Sequence, residues 1–169
     1  MYREAPQLLI DVPTLDDAEG IAGLRTLYHQ EVLRAGGGFF HPGEAEALKQ
    51  AELQFVERRL RQPQAFMRVV RAGERCVGFL NAELLRPKQQ DAYLGFLVVA
   101  PAYRKQGLGT RLIHNLETAL PLHHPIVVEA VGADQEALLR FYKRLGFEPC
   151  NEGEQFEGHR MIKNRSGRV

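Results

Sequence analysis

One stretch constrains this chain more than any other: an apolar run that ends in a cationic turn and restarts as a helix. Residues 93–99 carry almost no polar side chain, as expected of a strand covered on both faces of a sheet. Ala100-Pro101 ends the run, and Arg104-Lys105-Gln106-Gly107-Leu108-Gly109 follows it. Leu108, Leu112, Leu116 and Leu120 then repeat at helical spacing. The first turn of such a helix carries N–H groups with no intrahelical partner, and its dipole favours an anion. Gly107 and Gly109 let a ligand approach the backbone, and Arg104, Lys105 and Arg111 add positive charge. The pattern suits a diphosphate. It is not a P-loop, because the GxxxxGK[ST] spacing is absent, and GxGxxG fails at Leu112.

The flanking sequence builds a single domain over residues 1–164, with 165–169 read as a loose tail. Residues 7–12 form a first strand. Thr14 and Asp17 form a capping box before a helix marked by Ile21, Leu24, Tyr28 and Val32, which Gly36-Gly37-Gly38 stops. Residues 44–60 form a second helix, with Leu48, Leu53, Val56 and Leu60 near one face. Residues 66–70 and 76–85 make a hairpin across Ala72-Gly73-Glu74. After the central strand and its helix, residues 126–131 form another buried strand. Asp134 caps a short helix packed through Phe141 and Leu145. Phe147 opens a strand, and residues 158–163 form the last. The order β-α-α-β-β-β-α-β-α-β-β predicts an α/β (α+β mixed-sheet) fold, a central mixed sheet flanked by helices.

Composition narrows the function. Formal net charge is +1 with 25% charged residues, unlike a nucleic-acid-binding domain. No apolar run reaches the ~18 residues of a membrane span, and the start lacks a signal peptide's apolar core, so a cytoplasmic protein is expected. Cys76 and Cys150 belong to no CxxC pair and read as reduced, buried thiols. The six histidines are scattered apart from His123-His124, with no HExxH, so no metal is expected. The only serine is Ser166, which argues against a serine hydrolase.

Arg104 to Gly109 resembles the R/Q-x-x-G-x-G/A pattern of the GCN5-related N-acetyltransferase (GNAT) superfamily, preceded by the family-like Val99, Pro101 and Tyr103. Phe141-Tyr142-Lys143-Arg144-Leu145-Gly146-Phe147 resembles that family's L-Y-x-x-x-G-F. The likeness is specific over residues 97–147 and follows the element order elsewhere. It implies acetyl-CoA as co-substrate, with its diphosphate on the backbone of Gln106, Gly107, Leu108, Gly109 and Thr110. Arg104 and Lys105 would lie nearby, and the pantetheine arm would pair with the main chain of Leu97, Val98 and Val99. A bulge is expected to splay the central strand there. The reaction implied is acyl transfer to a primary amine, small or on a protein, by direct attack. A non-catalytic acyl-CoA-binding or sensing module is the alternative.

Tyr142 matches the family's tyrosine beside the thioester sulfur, a general acid or a packing residue. Relatives often carry a glutamate base at the position of Tyr93. Without it, Glu83, Glu129 and Asp91 are the carboxylates open to that role, beside bulk water. Gln135 stands where relatives often have asparagine. Tyr28, Phe39 and Phe40, with His41 and the acidic segment 152–156, are candidates for the acceptor pocket. Three glutamates in the last loop (Glu152, Glu154 and Glu157) favour a cationic acceptor. The resemblance also implies a homodimer.

Overall fold

The computed structural model describes residues 7–62, 65–84, 90–150 and 159–165. Seven strands form one mixed sheet: β1 (Leu8–Asp11), β2 (Ala65–Ala72), β3 (Arg75–Glu83), β4 (Ala92–Val99), β5 (Ile126–Ala130), β6 (Glu148–Pro149) and β7 (His159–Lys163). Four helices join them: α1 (Ala18–Ala35), α2 (Pro42–Leu60), α3 (Leu108–Ala119) and α4 (Gln135–Arg144). The spatial order is β1-β2-β3-β4-β5-β7-β6. Strands β1 to β4 pair antiparallel in sequence order, β5 runs parallel to β4, and β7 inserts antiparallel between β5 and β6. The element order is the one expected from the sequence.

Two cores form because the sheet is apolar on both faces. On one face Ile21 and Leu24 of α1 and Val56 of α2 pack on Val69, Phe79 and Val98. On the other, Leu108, Leu112, Ile113 and Leu116 of α3 pack on Val70, Leu80, Leu94 and Ile126. All four leucines of the expected α3 stripe are buried. The capping box is present, with the Thr14 N–H donating to Asp17 Oδ2 at 2.7 Å. It nucleates a 3-10 turn (Leu15–Asp17) ahead of α1. Pro42 belongs to α2 rather than the preceding loop, since proline's missing N–H costs nothing at a helix start.

Three expectations change. The inner face of α2 carries a charge: Glu52 is buried and accepts from Arg25 Nε, and it also pairs with His29. On α4 the fully packed ring is Tyr142, not Phe141 or Leu145, which are only partly buried. Cys76 and Cys150 are free but only half-buried. Residues 152–156 lie outside the described residues.

The feature that shapes everything beyond the fold is an irregularity in β4. Asn81 of β3 pairs with Phe96, but Ala82 pairs with Leu94, so Gly95 is an extra residue, a bulge. Strand β4 meets β5 only through Ala92, Tyr93 and Leu94. Beyond Leu94 the two parallel strands part, and the edge of β4 facing β5 is open.

Leu112 sits at 0% exposure where α3 crosses the sheet. Leu112→Ala should cost ~2–5 kcal/mol of unfolding free energy, read by chemical denaturation.

Candidate active site

The open edge of β4 runs toward the turn expected to hold phosphate. A 3-10 turn (Pro101–Tyr103) leaves the strand, and α3 then starts at Leu108 with Gly107 as its N-cap. Gly107 has φ +76° and Lys105 has φ +61°. Both are left-handed, a conformation easy for glycine and uncommon for lysine. A Cβ on Gly107 would meet nothing within 4 Å, so this glycine is needed for conformation rather than space. Gly109 serves packing instead, because a Cβ there would lie 3.1 Å from Phe141 Cζ. Phe141 therefore rests directly over the first turn of α3.

Two cavities line this edge. One, of about 540 Å³, lies over the turn and is walled by Leu97, Val99, Gly107, Gly109, Thr110 and Phe141 among others. The second, of about 420 Å³, lies in the wedge between β4 and β5 and reaches Tyr28, Gly95, Phe96, Val98, Glu129 and Tyr142. They share Leu97, Val99, Arg104, Lys105, Leu138 and Phe141 and so form one continuous groove. Backbone groups of an antiparallel strand alternate in direction. The Ala100 N–H turns to Val77 O of β3, so Val99 and Leu97 turn their polar groups to the open side. Val98 turns its own toward β3 while its side chain joins the α1–α2 core.

Tyr142 borders the wedge and is 3% exposed. Its ring lies edge-on to Phe141 and Phe147, with centroids 5.1 and 5.2 Å away. Burial, and secondarily the neighbouring Tyr28, push its phenol far above the ordinary tyrosine value, so it keeps its proton. The Tyr28 hydroxyl donates to Val131 O at 2.7 Å, bolting α1 to the loop after β5. Burial raises the Tyr28 phenol too, partly offset by Arg25. Gln135 fixes the same loop, with Nε2 donating to Ala130 O at 2.5 Å and Oε1 accepting from the Gly132 N–H at 3.2 Å.

The carboxylates expected near the reaction separate. Glu129 faces the wedge. Its Oε1 lies 3.8 Å from Arg160 Nε, and its Oε2 is buried without a hydrogen-bond partner. Glu83 sits at the far end of β3, about half exposed, 3.9 Å from Arg59 Nη1, and borders neither cavity. Asp91 is buried ahead of β4 and likewise borders neither. Of the proposed acceptor residues, Tyr28 lines the wedge. Phe39 is 70% exposed, its ring edge-on to His41, and Phe40 is half-buried; neither borders the groove. Among the groove residues that the sequence reading missed is a charged one: Glu31 of α1 lines the wedge and binds Arg104, with Oε2 2.7 Å from Nη2. Its place one turn after Tyr28 was the available signal. Among the described residues no cluster of three or more His, Cys, Asp or Glu is placed to hold a metal, and no helix is long and apolar enough to cross a membrane.

Fold and groove together define an α/β domain whose helix-start turn opens onto a splayed strand edge. The family model for the acetyltransferase (GNAT) domain matches residues 25–165. The chain belongs to the GNAT family. An uncharacterized N-acetyltransferase of Methanocaldococcus jannaschii is 38% identical over 78 residues, covering 45% of this chain and 33% of that protein. The match thus spans about a third of the relative's length. Solved structures share the fold at low identity. The PaiA N-acetyltransferase of Thermoplasma acidophilum, solved with coenzyme A, has 16% identity and a TM-score of 0.68, covering 94% of this chain and 99% of that one. A histone acetyltransferase HPA2-related protein of Corynebacterium glutamicum has 19% identity and a TM-score of 0.70, covering 98% and 99%. An aminoglycoside 6'-acetyltransferase of type Ii has 18% identity and a TM-score of 0.67, covering 95% and 99%.

Because Gly107 is left-handed with open space around it, Gly107→Ala should cost roughly 1–2 kcal/mol of stability through backbone strain alone. Gly109→Ala, which keeps an allowed conformation, should act by displacing Phe141. Thermal melts of the two variants, with Phe141→Leu placed behind each, separate the two causes: the smaller, ringless side chain should rescue only Gly109→Ala.

Proposed function

We propose that this protein is an N-acetyltransferase that moves an acetyl group from acetyl-CoA to a primary amine by direct attack in a ternary complex. The observation that carries this reading is the open edge of β4 beyond Leu94, which joins the helix-start turn to a wedge holding a buried tyrosine and a carboxylate. An extended pantetheine arm would pair with the open-edge backbone of Leu97 and Val99, displacing Arg104 Nε from Val99 O, as an added strand does. Its diphosphate would rest on the N–H groups from Gln106 to Thr110, where the α3 dipole favours negative charge. The thioester would then lie in the wedge.

Each residue's task follows from its surroundings. The amine nitrogen attacks the acetyl carbonyl carbon, the new C–N bond forms, and the C–S bond breaks to release a thiolate. Glu129 Oε2 is a buried acceptor without a partner, suited to receive the proton the amine must lose, directly or through water. Tyr142 offers its O–H to the leaving sulfur. A phenol held above ~10 is a weaker acid than a thiol near ~8.5, so full proton transfer to the thiolate would run uphill. The role that fits is a hydrogen-bond donor that stabilises sulfur as negative charge develops. A hydrogen bond to a charged group is worth ~1.5–3 kcal/mol.

The experiment is thiol release from acetyl-CoA with cadaverine, glucosamine or a lysine-containing peptide, against a no-amine control. Amine-dependent release is expected. Binding of acetyl-CoA with no release by any amine is the outcome of a sensing module. In Tyr142→Phe the ring stays packed and the hydroxyl is lost. Its kcat at saturating substrates should fall about 10- to 100-fold, with acetyl-CoA affinity within about two-fold of wild type. An unchanged kcat removes Tyr142 from the chemistry.

A further inference from the structure

Arg104 stands where the two cavities meet and borders both. Its guanidinium makes two bonds there. Nε donates to Val99 O at 2.8 Å, and Nη2 lies 2.7 Å from Glu31 Oε2 on α1. Bound acetyl-CoA would contest both bonds. Val99 O lies on the open strand edge where the arm would pair, and the guanidinium is one of the cations beside the turn. Glu31 borders only the wedge, the acceptor end of the groove. As long as Arg104 binds it, its charge is neutralised and a cationic amine gains little from it.

We propose that Glu31 is an acceptor-specificity residue for a cationic amine, withheld by Arg104 until the cofactor's diphosphate claims that guanidinium. The inference rests on the acetyltransferase reading above. A diphosphate carries more charge than one carboxylate and accepts a guanidinium bidentately, so it outcompetes Glu31. The pantetheine arm displaces the same side chain from Val99 O. Glu31 then stands in the wedge as an unneutralised carboxylate, in the cavity that Glu129 also lines, and the incoming ammonium supplies the missing positive charge. Acceptor affinity becomes conditional on the cofactor. Lys105, also at the shared boundary, has no ion pair among the described contacts to give up and stays with the phosphates in either state.

The two substrates should respond oppositely to one substitution. Glu31→Gln keeps size and helix propensity but removes the charge that competes for Arg104. Calorimetric titration with coenzyme A should then show binding about two- to five-fold tighter than wild type, the range of a half-exposed ion pair. At saturating acetyl-CoA, the KM for whichever of cadaverine, glucosamine or the lysine peptide the wild type acetylates should rise about ten-fold, with kcat little changed. Glu31→Ala, checked for folding by its melt, should repeat both shifts. A coenzyme A affinity that does not increase, or an amine KM that does not rise, overturns the proposal while leaving the acetyltransferase reading intact. A wild type that binds no coenzyme A, or releases no thiol with any amine, overturns that reading and this inference with it.

Discussion

Parallel strands β4 and β5 pair through three residues and then separate, and the rest of the molecule is arranged around that separation. An unpaired strand edge inside a sheet exposes N–H and C=O groups that ordinarily must be satisfied. The bulge at Gly95 creates the opening by adding one residue to β4 opposite β3. A Cβ at Gly95 would lie 3.4 Å from Asn81 Nδ2, at the near edge of ordinary contact. The α3 start lies at the far end of the open edge, so the edge and the helix N-terminus together present a continuous polar track. Phe141 and Tyr142 fill the wedge from the α4 side, so the gap becomes a groove rather than a hole through the sheet.

A buried charged cluster supports the opposite wall. Arg25 lies between the rings of Phe55 and Phe96, 4.4 and 4.2 Å from their centroids, and binds Glu52. Burial pushes the Glu52 carboxyl up, but His29 and Arg25 outweigh it and hold it below the ordinary glutamate value. Ion pairs in such surroundings seldom add net stability, because desolvation offsets the attraction. Here the cluster holds Phe96, the residue just after the bulge, and Tyr28 packs edge-on to that ring at 4.8 Å. The charges thus fix the shape of the wedge. Tyr28 continues the same wall to Val131 O, so one connected set of contacts links α2, α1, β4 and the loop after β5.

The elements were legible in the sequence because each carries its own local signal. The leucine stripe of α3, the Thr14 capping box, the Asp134 cap, which accepts from the Ala137 N–H at 2.9 Å, and the apolar run of β4 all depend on neighbours a few residues away. The turn at Gly107 was legible for the same reason. The carboxylates were not. Glu83 and Glu129 look alike as acidic residues on strands, but β3 ends away from the groove and β5 borders it. Phe39 and Phe40 promised aromatic surface, yet the start of α2 directs that loop elsewhere. Tyr142 stood out through its surrounding pattern, while its near-complete burial, and the raised phenol that burial causes, followed only from packing against Phe141 and Phe147.

By itself the sequence determined which segments become strands and helices, and where the glycine-capped start of α3 falls. Period, caps and glycine spacing act over one or two turns of chain. Tertiary structure alone decided which charges meet. Glu31 and Arg104 are 73 positions apart, Arg25 and Glu52 are 27, and Tyr28 reaches Val131 across 103. No local rule connects such residues. They meet because α1 packs across the face of β3 and β4 near the point where β4 leaves β5, and that departure depends on a one-residue register shift between two strands.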